Sequence, residues 1–127
     1  MKILLLEPDK ILGQIYTKAF EHEGHMTTLY HDAQSAIRGL DKQIPDLIIC
    51  ELQLAGHNGI EFLYELRSYS DWQTLPVMLL SNVPQHESGL PPKQWEHLGI
   101  VGYHYKPFTS LVALSRSASQ LSISAKA

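Results

Sequence analysis

Four short apolar runs in this 127-residue chain each end on a side chain able to do chemistry. Ile3–Leu6 (ILLL) is followed by Glu7, and Leu47–Cys50 (LIIC) by Glu51. Val77–Leu80 (VMLL) is followed by Ser81, and Gly102–Tyr105 (GYHY) by Lys106. Carboxylates can hold a cation, a lysine can neutralise an anion, and a hydroxyl can hydrogen-bond to one. Brought together, these four residues would make a compact polar site at the border of an otherwise apolar structure. Whether they meet depends on the elements between them.

Those elements alternate. Residues 9–23 carry Ile11, Leu12, Ile15, Ala19 and Phe20 at helical spacing, with Asp9 as the expected N-cap and Gly24 as the stop. Residues 25–30 (HMTTLY) read as a strand, and Asp32 offers an N-cap to a helix over Ala33–Leu40 whose face is Ala33, Ala36, Ile37 and Leu40. Residues 55–59 (AGHNG) read as a turn, and residues 60–69 resume helical period through Ile60, Leu63, Tyr64 and Arg67. After Ser81, Pro84, Gly89, Pro91 and Pro92 exclude a long helix and leave one or two turns near residues 92–98. Residues 100–105 form a fifth strand and residues 108–121 a last, weakly charged helix.

Five β segments alternating with five α segments predict an α/β fold with helices on both faces of a parallel sheet. Continuous apolar runs are what parallel strands covered on both sides look like. The domain is expected over residues 1–121, with 122–127 as a frayed tail. In such open sheets ligands bind beyond the carboxyl ends of the strands, where Glu7, Glu51, Ser81 and Lys106 all fall.

Composition narrows the function. A net charge of −3 provides no basic field for nucleic acid or an anionic membrane surface. The single cysteine, Cys50, cannot form an internal disulfide. The first residues hold too few consecutive apolar side chains for a secretory segment or a membrane span, so a cytoplasmic location is expected. Of the seven histidines only His22 and His25 stand at ligand spacing, short of the four donors a structural zinc site wants.

Taken in order, KILLLE, PDLIICELQLAGHNGIEFLYELR, LPVMLLSN, Tyr103 and the triplet Lys106–Phe108 (KPF) resemble a response-regulator receiver domain. This is the CheY-like, flavodoxin-like module that takes a phosphoryl group from a histidine kinase in two-component phosphorelay signalling. The resemblance covers residues 2–114 and brings with it a five-stranded sheet of order 2-1-3-4-5, with the fourth helix shortened here. It places Glu51 at the phosphoacceptor position, which is normally aspartate. Glu7 and Pro8 stand where two acids normally hold Mg²⁺. It implies that Ser81 contacts phosphoryl oxygens, that Lys106 neutralises the acceptor and then the phosphoryl charge, and that Tyr103 is the aromatic whose rotation reports activation. Pro107 falls at a lysine–proline peptide that is commonly cis in the family.

Two of these positions depart from the pattern. Pro8 has no side-chain ligand atom, and Mg²⁺ demands near-octahedral oxygen coordination. Asp9 could substitute through water or simply cap the first helix. Any metal held by Glu7, Asp9 and Glu51 is therefore expected to be weak, and no cofactor is expected. In Glu51 an extra methylene carries the carboxylate outward by roughly 1.3–1.5 Å. A misplacement of about 1 Å can cost on the order of a hundredfold in a transfer reaction. Glu51 has two readings that can hold together. One is a partly buried acid–lysine pair of small net stability. The other is a permanent mimic of the phosphorylated state, with Ser81 and Tyr103 held inward.

The expected function is thus an atypical receiver, not an enzyme, that acts as a protein-interaction module without phosphorylation. Its partners would be a histidine kinase or an output protein, engaged through the fourth helix, fifth strand and fifth helix, where Trp95, Tyr103, His104 and Tyr105 lie. An ordinary phosphorylated receiver and a purely structural interaction domain are the alternatives. A flavin site would want a Ser/Thr/Gly-rich loop after the first strand, which EPDK is not. The proline-rich segment 81–93 departs most from the family and is expected to be a mobile or specially shaped recognition loop.

Overall fold

A computed structural model describes residues 1–54 and 57–126. Five strands, β1 (Lys2–Leu6), β2 (Met26–Tyr30), β3 (Leu47–Cys50), β4 (Val77–Ser81) and β5 (Ile100–Tyr105), form one sheet. Its order is β2-β1-β3-β4-β5 and every pairing is parallel. The helices are α1 (Lys10–His22), α2 (Ala33–Lys42), α3 (Gly59–Ser68), α4 (Pro92–His97) and α5 (Leu111–Lys126). The fold is the expected flavodoxin-like α/β architecture. A two-residue antiparallel ladder, Gln53–Leu54 with His57–Asn58, follows β3. Ala55 and Gly56 of the expected turn lie outside the described residues.

Successive side chains of a strand point to opposite faces, so the apolar runs feed two cores at once. Ile3, Leu5, Leu47, Ile49, Met78 and Leu80 pack with Tyr16 and Phe20 of α1 and Leu114 and Ala118 of α5. Leu4, Leu6, Ile48, Cys50, Val77 and Leu79 pack on the other side with α2, α3 and the α4 region. Strands β3 and β4 are buried along their whole length.

The helix signals place the elements well and two of their faces less well. Asp9 and Asp32 cap α1 and α2 with their side chains, and Asn58 does the same for α3. On α1, however, Ile11 and Ile15 are 71% and 40% exposed, and the buried stripe is Gly13, Tyr16 and Phe20. On α3, Phe62, Leu63 and Leu66 face the core while Tyr64 points outward. Helix α5 starts later than expected, because residues 106–108 make a 3₁₀ turn first, and its backbone continues past residue 121. The Lys106–Pro107 peptide is trans, since no cis bond occurs among the described residues.

Prolines set the shape of the β4–α4 connection. The chain makes a 3₁₀ turn at Gln85–Glu87 and then enters the short α4 at Pro92. The connection is held by its own bonds: Leu90 N–H donates to Ser88 Oγ at 3.2 Å, and Leu90 itself is buried. It is a shaped loop. Arg67 pins the far end of α4 by donating to the carbonyls of Leu98, Trp72 and Leu75.

Gly59 ties α3 to the loop that carries Glu51. Its N–H donates to the Leu52 carbonyl at 2.6 Å. A Cβ here would stand 2.6 Å from Leu52 Cα and 2.7 Å from the Glu51 carbonyl, both backbone atoms that cannot rotate away. Gly59→Ala should therefore destabilise the fold by about 1–3 kcal/mol, the usual cost of overpacking. Chemical denaturation should show a lower midpoint with an unchanged slope.

Candidate functional site

The register of the sheet gathers the four polar residues. Leu6 pairs with Cys50, so Glu7 and Glu51 leave neighbouring strands side by side. Ser81 pairs with Tyr105, so Lys106 emerges one residue later on the next strand. All lie at the carboxyl edge.

Lys106 Nζ stands 2.7 Å from Glu7 Oε1 and 2.7 Å from Glu51 Oε1. The three side chains are 7%, 2% and 3% exposed, which makes a buried triad of two carboxylates around one ammonium. Burial works against the charge on Lys106, but its hydrogen bonds to Glu51 and Glu7 outweigh that and raise its pKa above the usual lysine value. The two carboxylates would otherwise repel by roughly 3 kcal/mol at an effective dielectric near 20.

Glu51 bends back onto the start of its own loop. Its Oε2 accepts from Leu52 N–H at 2.6 Å and from Gln53 N–H at 3.1 Å. Its Oε1 accepts from Lys106 and, at 3.4 Å, from Asn82 N–H. Glu7 Oε2 accepts from Asp9 N–H at 3.1 Å, and the Glu7 carbonyl accepts from His31 Nδ1 at 2.9 Å. Beneath the pair, the Cys50 thiol is fully buried and donates to the Glu51 carbonyl. Burial, with both carboxylates nearby, pushes its pKa far upward, so it remains a thiol and not a nucleophile.

Asp9, expected in the acidic pocket, is turned away from it. Its Oδ1 accepts from Ile11 N–H and Leu12 N–H at 2.9 and 3.0 Å, so the carboxylate caps α1. Among the described residues no group of three His, Cys, Asp or Glu side chains is placed to hold a metal ion. Pro8 offers no donor, Asp9 faces the helix, and an ammonium stands between the remaining two acids. This donor set does not fit Mg²⁺.

Ser81 is fully buried and makes no direct bond to Glu51; its Oγ accepts from Val83 N–H at 3.0 Å. Tyr103 donates its hydroxyl to the Val83 carbonyl and lies beside Ser81. Burial raises the Tyr103 pKa. Its ring stacks on Trp95 of α4, with centroids 5.9 Å apart and planes 16° from parallel. Trp95, Tyr103, His104 and Tyr105 are all half-buried. Sequence reasoning did not find the backbone donors of Leu52, Gln53 and Asn82, because any residue type supplies an N–H. Nor did it pair Trp95 with Tyr103, a contact that the proline-set path of the β4–α4 loop creates.

The architecture has counterparts among known proteins. The family model for the response regulator receiver domain matches residues 3–115, and the chain belongs to that family. It is 26% identical over 115 residues to the phosphate regulon transcriptional regulatory protein PhoB of Escherichia coli, covering 91% of this chain and 49% of that protein. It is 30% identical over 79 residues to the probable transcriptional regulatory protein TcrX of Mycobacterium tuberculosis, covering 62% of this chain and 33% of that protein. The chain thus spans half or less of the length of these relatives. The receiver domain of Francisella response regulator 1452 superimposes with a TM-score of 0.80 at 27% identity over 94% of each chain. The response regulator TrrA of Thermotoga maritima, solved with Mg²⁺ and BeF, shares the fold with a TM-score of 0.78 at 19% identity, covering 94% of this chain and 97% of that one.

Removing the ammonium should be far worse than removing one acid. Lys106→Met leaves two buried carboxylates unpaired and should cost about 3–5 kcal/mol. Glu51→Gln leaves the Lys106–Glu7 pair intact and should cost less. Because the folded pKa of Lys106 lies above its unfolded value of about 10.4, its contribution is complete below that pH. The contribution disappears as pH rises through the folded pKa. Measured by urea titration, the stability gap between wild type and Lys106→Met should therefore narrow as pH rises into the strongly alkaline range.

Proposed function

We propose that this receiver domain acts in two-component signalling as a protein-interaction module that needs no phosphoryl transfer. The observation that carries this reading is the Glu51 carboxylate. It is closed to water, and both of its oxygens are already bonded, to Lys106 and to the amides of Leu52, Gln53 and Asn82. A nucleophile must present a free lone pair in line with the incoming phosphorus. Glu51 spends its lone pairs on fixed donors, and the metal that would neutralise the phosphodonor lacks a ligand set.

The same carboxylate puts negative charge against Lys106, where a phosphoryl group on an ordinary receiver would sit. Tyr103, folded inward beside Ser81 and covered by Trp95, supports a single, permanently set signalling conformation. The module is not an enzyme on this reading. Its partner is a protein, a kinase or an output protein, met through α4, β5 and α5 in the cytoplasm. No helix among the described residues is long and apolar enough to cross a membrane.

Intact-mass measurement after incubation with Mg²⁺ and a small phosphodonor tests the proposal. The wild-type mass should not change. Addition of one phosphoryl group, abolished in Glu51→Gln, would establish an ordinary receiver instead. The double variant Pro8→Asp, Glu51→Asp restores a shorter acceptor and a metal ligand beside an unaltered Lys106, and it should gain Mg²⁺-dependent phosphorylation.

A further inference from the structure

The sheet ends on two very different edges. At one, β5 is shielded: its ladder with β4 is irregular between Val77 and Met78, and α4 and the 3₁₀ turn at Gln85–Glu87 pack against it. At the other, β2 is bare. Its residues, Met26–Tyr30 (MTTLY), pair in unbroken register with β1 and, among the described residues, with no other strand. Native proteins usually blunt such an edge with a lysine, a proline, a bulge or an inward charge. This strand has none of them.

The ladder fixes where each backbone group of β2 points. Met26 N–H donates to the Met1 carbonyl at 3.0 Å, and the Tyr30 carbonyl accepts from Glu7 N–H at 2.9 Å. Successive residues of a strand alternate in direction, so Met26, Thr28 and Tyr30 bond towards β1. Thr27 and Leu29 therefore hold their N–H and C=O groups outward. Helix α2 leaves this edge open, since Met26 is 65% exposed and Thr28 is exposed as well. A small cavity of about 70 Å³ lies on that side, lined in part by Met26, Thr28, Tyr30, Gly39 and Gln43. On the other face Leu29 is packed under α1 against Gly13, which holds the strand in place.

The residues of β2 indicate what completes the edge. The outward pair, Thr27 and Leu29, is centred on Thr28. An antiparallel copy of the same strand, with Thr28 opposite Thr28, sets Thr27 of one chain against Leu29 of the other. Each then gives and accepts a backbone bond. Met26 stands opposite Tyr30, thioether against ring, beside the small cavity. These pairs and the Thr28 pair are non-hydrogen-bonded positions, where side chains come closest. The strand carries no charge, so the pairing sets no like charges opposite each other, and a charged extended peptide would find no counter-charge. The edge is complementary to itself, as a two-fold contact requires.

We propose that β2 is a two-fold pairing edge, through which two copies of this chain join their sheets antiparallel by the backbones of Thr27 and Leu29, with Thr28 on the axis. The contact lies at the opposite end of the sheet from β5 and leaves that end free. It does not depend on whether Glu51 accepts a phosphoryl group.

Sedimentation equilibrium and amide hydrogen exchange on the whole chain test it. The wild type should form a dimer, and the Thr27 and Leu29 amides should exchange more slowly as concentration rises. Thr28→Lys and Thr28→Glu each set like charges face to face on the axis and should weaken association by about tenfold or more. Circular dichroism should not change, because the Thr28 side chain is exposed. Mixing the two variants in equal amounts should restore the dimer, since the charges on the axis are then opposite. A wild type that is monomeric up to millimolar concentration would overturn the proposal. So would Thr27 and Leu29 exchange rates that are the same in dilute and concentrated samples, or a mixture of the two variants that associates no better than either alone.

Discussion

One ammonium shared between two buried carboxylates is the constraint around which the rest of the site is arranged. Taking three charges out of water is expensive, and their attraction offsets the cost only with good geometry and with the remaining lone pairs satisfied. The sheet supplies the geometry, because parallel register delivers Glu7, Glu51 and Lys106 from three different strands to one point. The backbone supplies the satisfaction, through the amides of Asp9, Leu52, Gln53 and Asn82. Gly59 lets α3 approach closely enough to hold the Glu51 loop in that pose.

Strands β1, β3 and β4 were legible because a parallel sheet covered on both sides needs unbroken apolar runs, and the similar run at residues 111–114 (LVAL) lies in a segment of helical spacing. The site was legible for the same reason: a charged residue directly after such a run can only stand at the sheet's edge. Helix faces were less secure. Ile11 and Ile15 have helical spacing with Leu12 and Phe20, but α1 is apolar around more than half its circumference, so periodicity alone could not tell the core side from the outer side. Similarly, Tyr64 shares the helical period of Ile60 and Leu63, yet Phe62, Leu63 and Leu66 face the core and Tyr64 is exposed. Asp9 was ambiguous between ligand and cap, and the amides of Ile11 and Leu12 decide for the cap.

The short α4 shows how much tertiary context adds to composition. Its prolines announce that a long helix is impossible, yet they do not say where the truncated segment goes. Two contacts fix it: Tyr64 donates to Gln94 near its start, and Arg67 reaches the Leu98 carbonyl at its end. Held there, Trp95 lies over Tyr103. An aromatic that could swing in an open loop is enclosed by a neighbouring ring and by the carbonyl of Val83.

The shared ammonium also couples positions 8 and 51. Glu51→Asp alone would shorten the carboxylate away from Lys106 without recreating a cation site, because Pro8 would remain. Pro8→Asp alone would crowd a third acid against a cluster whose net charge is already negative. Neither change alone supplies both a shorter carboxylate and a cation ligand; only the two together do. Through the one counter-ion, the tolerance of position 8 for an added acid depends on which carboxylate stands at position 51.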